Sequence, residues 1–148
     1  MFKINRQTDY AVRVLLALAK VGEGVRLSSG AIQQEMLIPP ALMSRIVAQL
    51  ARAELVNTFP GREGGLMLPR PASQITLKDV VEAFEGPILL SECMQAKSED
   101  DCPFRTNCPV RSKWGRVQVA MLREMASISF EDLVKEALGI PMAVPSLV

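Results

Sequence analysis

Residues 27–70 read LSSGAIQQEMLIPPALMSRIVAQLARAELVNTFPGREGGLMLPR. Ser28 or Ser29 can cap a short helix running through Met36, with Ile32 and Met36 four apart on one face. Leu37-Ile38-Pro39-Pro40 then forces a turn, and Pro40 suits the first position of another helix. That helix, about residues 40–53, turns Leu42, Ile46 and Leu50 inward with Met43 and Val47 beside them. Its opposite stripe is Ala41, Ser44, Arg45, Ala48, Gln49 and Arg52, all small, polar or basic. Strand-like runs at 55–59 and 66–70 flank Pro60-Gly61-Arg62-Glu63-Gly64-Gly65, which reads as a hairpin turn. Upstream, Arg6–Val21 carries Ala11, Val14, Leu15, Leu18 and Ala19 at helical spacing, ended by Gly22 and Gly24. Three helices followed by a two-stranded hairpin predict a winged helix-turn-helix, closed by Pro69 and Pro71. The fold expected is mainly α with a small β wing.

Such a unit suits double-stranded DNA. The helix at 40–53 would lie in the major groove, with Ala41 and Ser44 allowing close approach and Arg45 meeting a base edge or phosphate. Gln49 and Arg52 share that stripe. The wing would rest on the backbone or reach the minor groove with Arg62, while Gly61, Gly64 and Gly65 permit a tight turn and close backbone approach. Charge agrees: residues 1–70 hold nine basic and five acidic side chains, net +4, and the remainder is net −3. A helical domain with solvated arginines, or a protein-docking winged helix, shares the pattern.

Beyond the wing, Thr76-Leu-Lys-Asp79 resembles a capping box and opens a helix to Phe84 that Gly86-Pro87 stops. Residues 88–109 form a polar loop holding Glu99-Asp100-Asp101 and all three cysteines. A long helix at 110–126 and a short one opened by Ser129-Phe-Glu-Asp132 follow. The chain thus divides into a winged helix-turn-helix at 1–71, a linking helix and loop at 72–92 and a cysteine loop at 93–109. A helical segment at 110–139 and a tail at 140–148 complete it.

With 148 residues, 49% of them apolar, the chain can bury a core without disulfides. No apolar run approaches the ~20 residues of a membrane span, and no signal peptide opens it. A cytoplasmic protein is expected. Histidine is absent, which removes Ser–His–Asp and Cys–His catalysis and His-ligated zinc enzymes. A cysteine nucleophile would need Lys or Glu activation, and no motif supplies it. Glu82, Glu85 and Glu92 fit a solvated helix face, and Gly61–Gly65 is no phosphate-binding loop. No enzyme is expected.

Cys93, Cys102 and Cys108 are spaced C-x8-C-x5-C. In a flexible polar loop, thiolates so placed can converge on one metal centre, and Cys108 lies by a helix N-terminus, where anions are favoured. Zinc would need all three thiolates plus a carboxylate, an uncommon structural set. Iron–sulfur clusters favour thiolates and tolerate some other ligation. On the long helix, Val110, Trp114, Val117, Met121, Met125 and Ile128 form a stripe, with Val119, Leu122 and Ala126 beside it. One stripe can pack on the parent domain while the other meets a second copy, as reading a two-fold operator requires. A helix wholly buried in a monomer is the alternative.

Several of these motifs together resemble a known family. Thr8-Asp-Tyr-Ala-Val-Arg13 looks like an "SDYALR"-type start, and residues 38–50 are similar to its recognition helix. Gly61-Arg-Glu-Gly-Gly65 is similar to its "GxxGG" wing, Asp79-Val-Val-Glu-Ala-Phe-Glu-Gly-Pro87 to "DVIEAVEGP", and Cys102-Pro and Cys108-Pro-Val to its cysteine loop. The family is the Rrf-two type of transcription regulators, which includes IscR, NsrR and RirA. The resemblance covers about residues 1–138. It implies a homodimeric regulator whose cysteines hold an iron–sulfur cluster, [2Fe-2S] or [4Fe-4S], sensing redox state, nitric oxide or iron and cluster supply. IscR-type members place a histidine three residues after the third cysteine, where this chain has Arg111, which cannot ligate. NsrR-like members use an aspartate of the first helix from the other subunit, and Asp9 matches that position. Leu66 stands where the family usually has an aromatic. A cysteine redox switch, or a zinc-stabilised docking protein without iron, is the other reading.

Overall fold

A computed structural model describes residues 3–94 and 102–138 of the chain. The tail at 140–148 and Glu99-Asp100-Asp101 lie outside the described residues. Helix α1 (Arg6–Val21) is the hub. Asn5 caps it, its side chain accepting from the Thr8 amide, and Ala11, Val14, Leu15 and Leu18 are wholly buried along one face. Helix α2 (Ser29–Glu35) is capped by Ser28, and α3 (Pro40–Arg52) opens on Pro40. The turn between them owes as much to Leu37 as to the prolines. Leu37 adopts a left-handed φ of 52° and is 81% exposed, which turns Ile38 into the core. A leucine held there stores about 1 kcal/mol of strain.

Strand β1 (Asn57–Phe59) pairs antiparallel with β2 (Gly65–Met67), matching Thr58 with Leu66 and Phe59 with Gly65. Both strands are shorter than the sequence suggests: Leu55, Val56 and Leu68 are buried but lie outside the ladder. Leu27 adds a one-residue third strand. Its amide donates to the Leu66 carbonyl at 3.0 Å, and the Leu66 amide donates back at 2.7 Å. This close approach explains two glycines. A Cβ at Gly65, whose φ is +136°, would collide with the Leu27 carbonyl, and one at Gly64 with the Phe59 carbonyl. Both are glycine because the wing's own backbone is crowded there.

A 3₁₀ turn at Ala72–Gln74 leads into α4 (Leu77–Glu85), which opens on a complete capping box between Thr76 and Asp79. A second 3₁₀ turn, Glu92–Met94, precedes α5 (Pro109–Ser127). Helix α6 (Phe130–Ala137) repeats the capping box with Ser129 and Asp132. The core crosses the division at residue 71. Ile75, Val80 and Phe130 are fully buried in the cluster that holds the apolar face of α1. The Phe130 amide donates to the Ile75 carbonyl at 2.9 Å, and the Leu77 amide to that of Ile128 at 3.0 Å. The C-terminal helix is thereby sewn onto the winged helix.

Glu85, at the end of α4, joins the start of α1. Its carboxylate accepts from the Asn5 amide at 2.9 Å and from the Thr8 hydroxyl. Burial alone would raise this carboxyl, but the bonds from Thr8 and Asn5 outweigh it and hold the group below its usual range. Glu85 is therefore a clamp between helices, not the solvated acid the sequence suggests.

Helix α5 leaves its apolar residues largely uncovered. It packs against α4 and the turn at Glu92–Met94, yet buries none of its residues. Val110, Trp114, Val117 and Val119 are each about half exposed, and Met121, Met125 and Ile128 are half-buried. A helix wholly buried in a monomer is excluded.

Candidate nucleic-acid interface and cysteine site

Met43, Ile46 and Leu50 face the core and so fix how α3 is rotated. Ala41, Ser44, Arg45, Ala48 and Arg52 consequently line its open side. Gln49 corrects the sequence reading. It is half-buried, and its side-chain amide donates to the Ala83 carbonyl at 3.0 Å, tying α3 to α4 instead of facing outward. Arg62 is exposed at the tip of the wing, beside Gly61 with its φ of +94°. Among the described residues, Arg45, Arg52 and Arg62 have no hydrogen-bond or ion-pair partner. Lys20, by contrast, is paired with Glu35 at 3.7 Å. Arg26, which the sequence gives no reason to single out, stacks over the Phe59 ring.

The cysteines flank α5. Cys108 is its N-cap residue, and Cys93 lies in the 3₁₀ turn packed against it. The Leu90 amide donates to the Gln118 side chain at 3.2 Å, and Met94 lies over Gly115, so the segment carrying Cys93 is docked on the helix. All three thiols are free and half-buried, with the Cys93 sulfur 3.0 Å from the Ser91 hydroxyl. Two open clefts border Cys102 and Cys108. One is lined by Cys102, Thr106 and Pro103, the other by Cys108, Met94 and Ser112, and Arg105 and Arg111 line both. Arg111 donates to the Arg105 carbonyl at 3.4 Å and thereby helps shape the loop. Among the described residues, no three Cys, Asp or Glu side chains converge closely enough to hold a metal. Asp9, in the first turn of α1, is half exposed and paired with Arg13 at 2.8 Å.

A helix-turn-helix followed by a wing places the chain in the winged-helix class, and the arginines on its open side, unpaired among the described residues, suit it to DNA. The chain belongs to the Rrf2 family, described as iron-dependent transcriptional regulators, whose model matches residues 4–136. It is 37% identical over 134 residues to protein aau3 of Rhizobium meliloti, covering 90% of this chain and 85% of that one. Its identity to the HTH-type transcriptional regulator NsrR of Oceanobacillus iheyensis is 28%, covering 89% of each. Among solved structures it is similar to CymR of B. subtilis, described as a global cysteine regulator. That match has a TM-score of 0.74 and 28% identity, and covers 92% of this chain and 98% of that one. The family and these neighbours are transcription regulators, not enzymes. No helix among the described residues is long and apolar enough to cross a membrane.

Proposed function

We propose that this chain is a homodimeric transcription regulator whose affinity for a double-stranded operator follows the state of an iron–sulfur cluster. The observation that carries the reading is the docking of the cysteine segment on α5, a 19-residue helix that buries no side chain of its own. A second copy covering Val110, Trp114, Val117, Met121, Met125 and Ile128 supplies the missing partner and places two recognition helices on one duplex.

Cys93, Cys102 and Cys108 would hold the cluster. Three free thiols, with the Arg105 and Arg111 guanidinium groups on the cleft walls, suit an anionic sulfur-ligated group. Such a cluster supplies iron–sulfur bonds sensitive to oxidant, nitric oxide and iron supply. Because the thiols are not convergent, the ligand sphere is one that binding assembles. The fourth ligand is Asp9 of the partner subunit. Giving up its exposed pair with Arg13 costs only about 0.3–0.5 kcal/mol, so the carboxylate is readily released for ligation. Asp9→Ala is expected to shift the visible absorption of anaerobically purified protein and to erase the difference in operator affinity between cluster-loaded and cluster-free forms. An unchanged spectrum with that difference preserved would refute the assignment.

Arg45 and Arg62 are the proposed DNA contacts of α3 and of the wing. Arg45→Ala should cost about 1–3 kcal/mol and relax preference at one base position, whereas Arg62→Ala should weaken all sequences alike. Competition binding against single-base operator variants distinguishes the two patterns, and binding untouched by both changes contradicts the interface.

The unconverged thiols also favour a second reading, a cysteine redox switch or zinc-stabilised regulator without iron. Anaerobic native mass spectrometry with iron and sulfide assays separates the two.

A further inference from the structure

Arg26 lies in the link between α1 and α2, yet its guanidinium carbon sits 3.6 Å from the centroid of the Phe59 ring. Phe59 ends β1, directly before the turn that carries Arg62. Strand pairing brings the two together. Leu27 is bonded to Leu66 in both directions, so these two share a face, and Arg26, one residue earlier, falls on the other. Phe59 is paired with Gly65, the neighbour of Leu66, and so belongs to that same outer face. Gly65 offers no side chain to obstruct the approach.

A guanidinium held over the face of an aromatic ring by cation–π attraction is restrained there while its N–H groups stay available to an anion. Arg26 is exposed, and beyond the stack it has no hydrogen-bond or ion-pair partner among the described residues. An arginine free in solvent would have to be ordered on docking, whereas this one is ordered beforehand. Its position beside Phe59 puts an ordered positive charge against the base of the turn that carries Arg62.

We propose that the Arg26–Phe59 stack is a phosphate-binding site, in which the edge of the guanidinium grips a backbone phosphate of double-stranded DNA next to the Arg62 contact. This rests on the DNA-binding reading and extends it to a residue outside both the recognition helix and the hairpin.

The test uses the full-length protein and a fluorescein-labelled duplex enriched by the wild type from a random pool, with anisotropy titrations across a range of KCl concentrations. Arg26→Gln should lower affinity about tenfold at low salt and reduce the slope of log K against log salt by about 0.9, the value of one lost phosphate contact. Arg26→Lys should keep the slope. Phe59→Leu should weaken binding a few-fold with the slope retained, because the charge remains but is no longer held in place. If the stack merely staples the link to the wing, Arg26→Gln and Phe59→Leu will lose affinity equally with the slope untouched, which overturns the proposal. A wild-type protein that enriches no duplex overturns the DNA-binding reading itself, and the stack's role with it.

Discussion

Replacing any one of Cys93, Cys102 or Cys108 with alanine is expected to strip the anaerobically purified protein of stoichiometric iron and sulfide while leaving it folded. The chain has three cysteines and no histidine, so no spare side chain of either kind can fill the vacated position. On the proposed ligand set, the change would leave the cluster one thiolate short. Stability should change little, because all three thiols are half-buried and none belongs to the core cluster. Substitutions outside a core usually stay within about 0.5 kcal/mol. The visible spectrum, iron and sulfide content and a urea unfolding curve give the complete answer. A variant that keeps its cluster removes that cysteine from the ligand set. A variant that unfolds would show that the metal is structural, its binding energy being folding energy.

Phe130→Ala should be the most damaging single truncation, destabilising the chain by about 3–5 kcal/mol. Phe130 is fully buried in the core cluster where α6 packs on α1 and on the turn at Ala72–Gln74. Against a total stability of about 5–15 kcal/mol, such a loss removes between about a fifth and all of it. Operator binding should fall with it, although Phe130 is far in sequence from every proposed DNA contact. Leu138→Ala, at a position 75% exposed, serves as the control and should be nearly silent. A Phe130→Ala unfolding midpoint close to that of the wild type would show that the winged helix closes without α6.

The periodic parts of the fold were legible in the sequence. Apolar spacing located α1 and α3, and the Thr76–Asp79 and Ser129–Asp132 boxes marked the starts of α4 and α6 because capping is a local event. What escaped was non-local. Leu27 acts as a strand through one residue, too short for any alternation to show. Gln49 sits on the polar stripe of α3, and only the position of α4 reveals that its amide is spent on Ala83. Gly64 and Gly65 were recognisable as wing glycines, but their crowding against the Phe59 and Leu27 carbonyls was not. The three cysteines were legible as a set, whereas the docking of the Cys93 turn on α5 through Leu90 and Met94 was not. Nothing in the sequence linked Arg26 with Phe59.

The joining of α6 to α1 also sets the order of events during synthesis. When Val21 leaves the ribosome, Val14, Leu15 and Leu18 already form an apolar face, but Ile75, Val80 and Phe130, which complete its surroundings, have yet to be made. At about 5–20 residues per second, the roughly 110 residues from Val21 to Phe130 occupy about 5–20 s, besides passage through the exit tunnel. For that interval the nascent DNA-reading unit exposes the surface that chaperones bind and that drives aggregation. The apolar face of α1 therefore gains its full cover only when nearly all of the described chain is free.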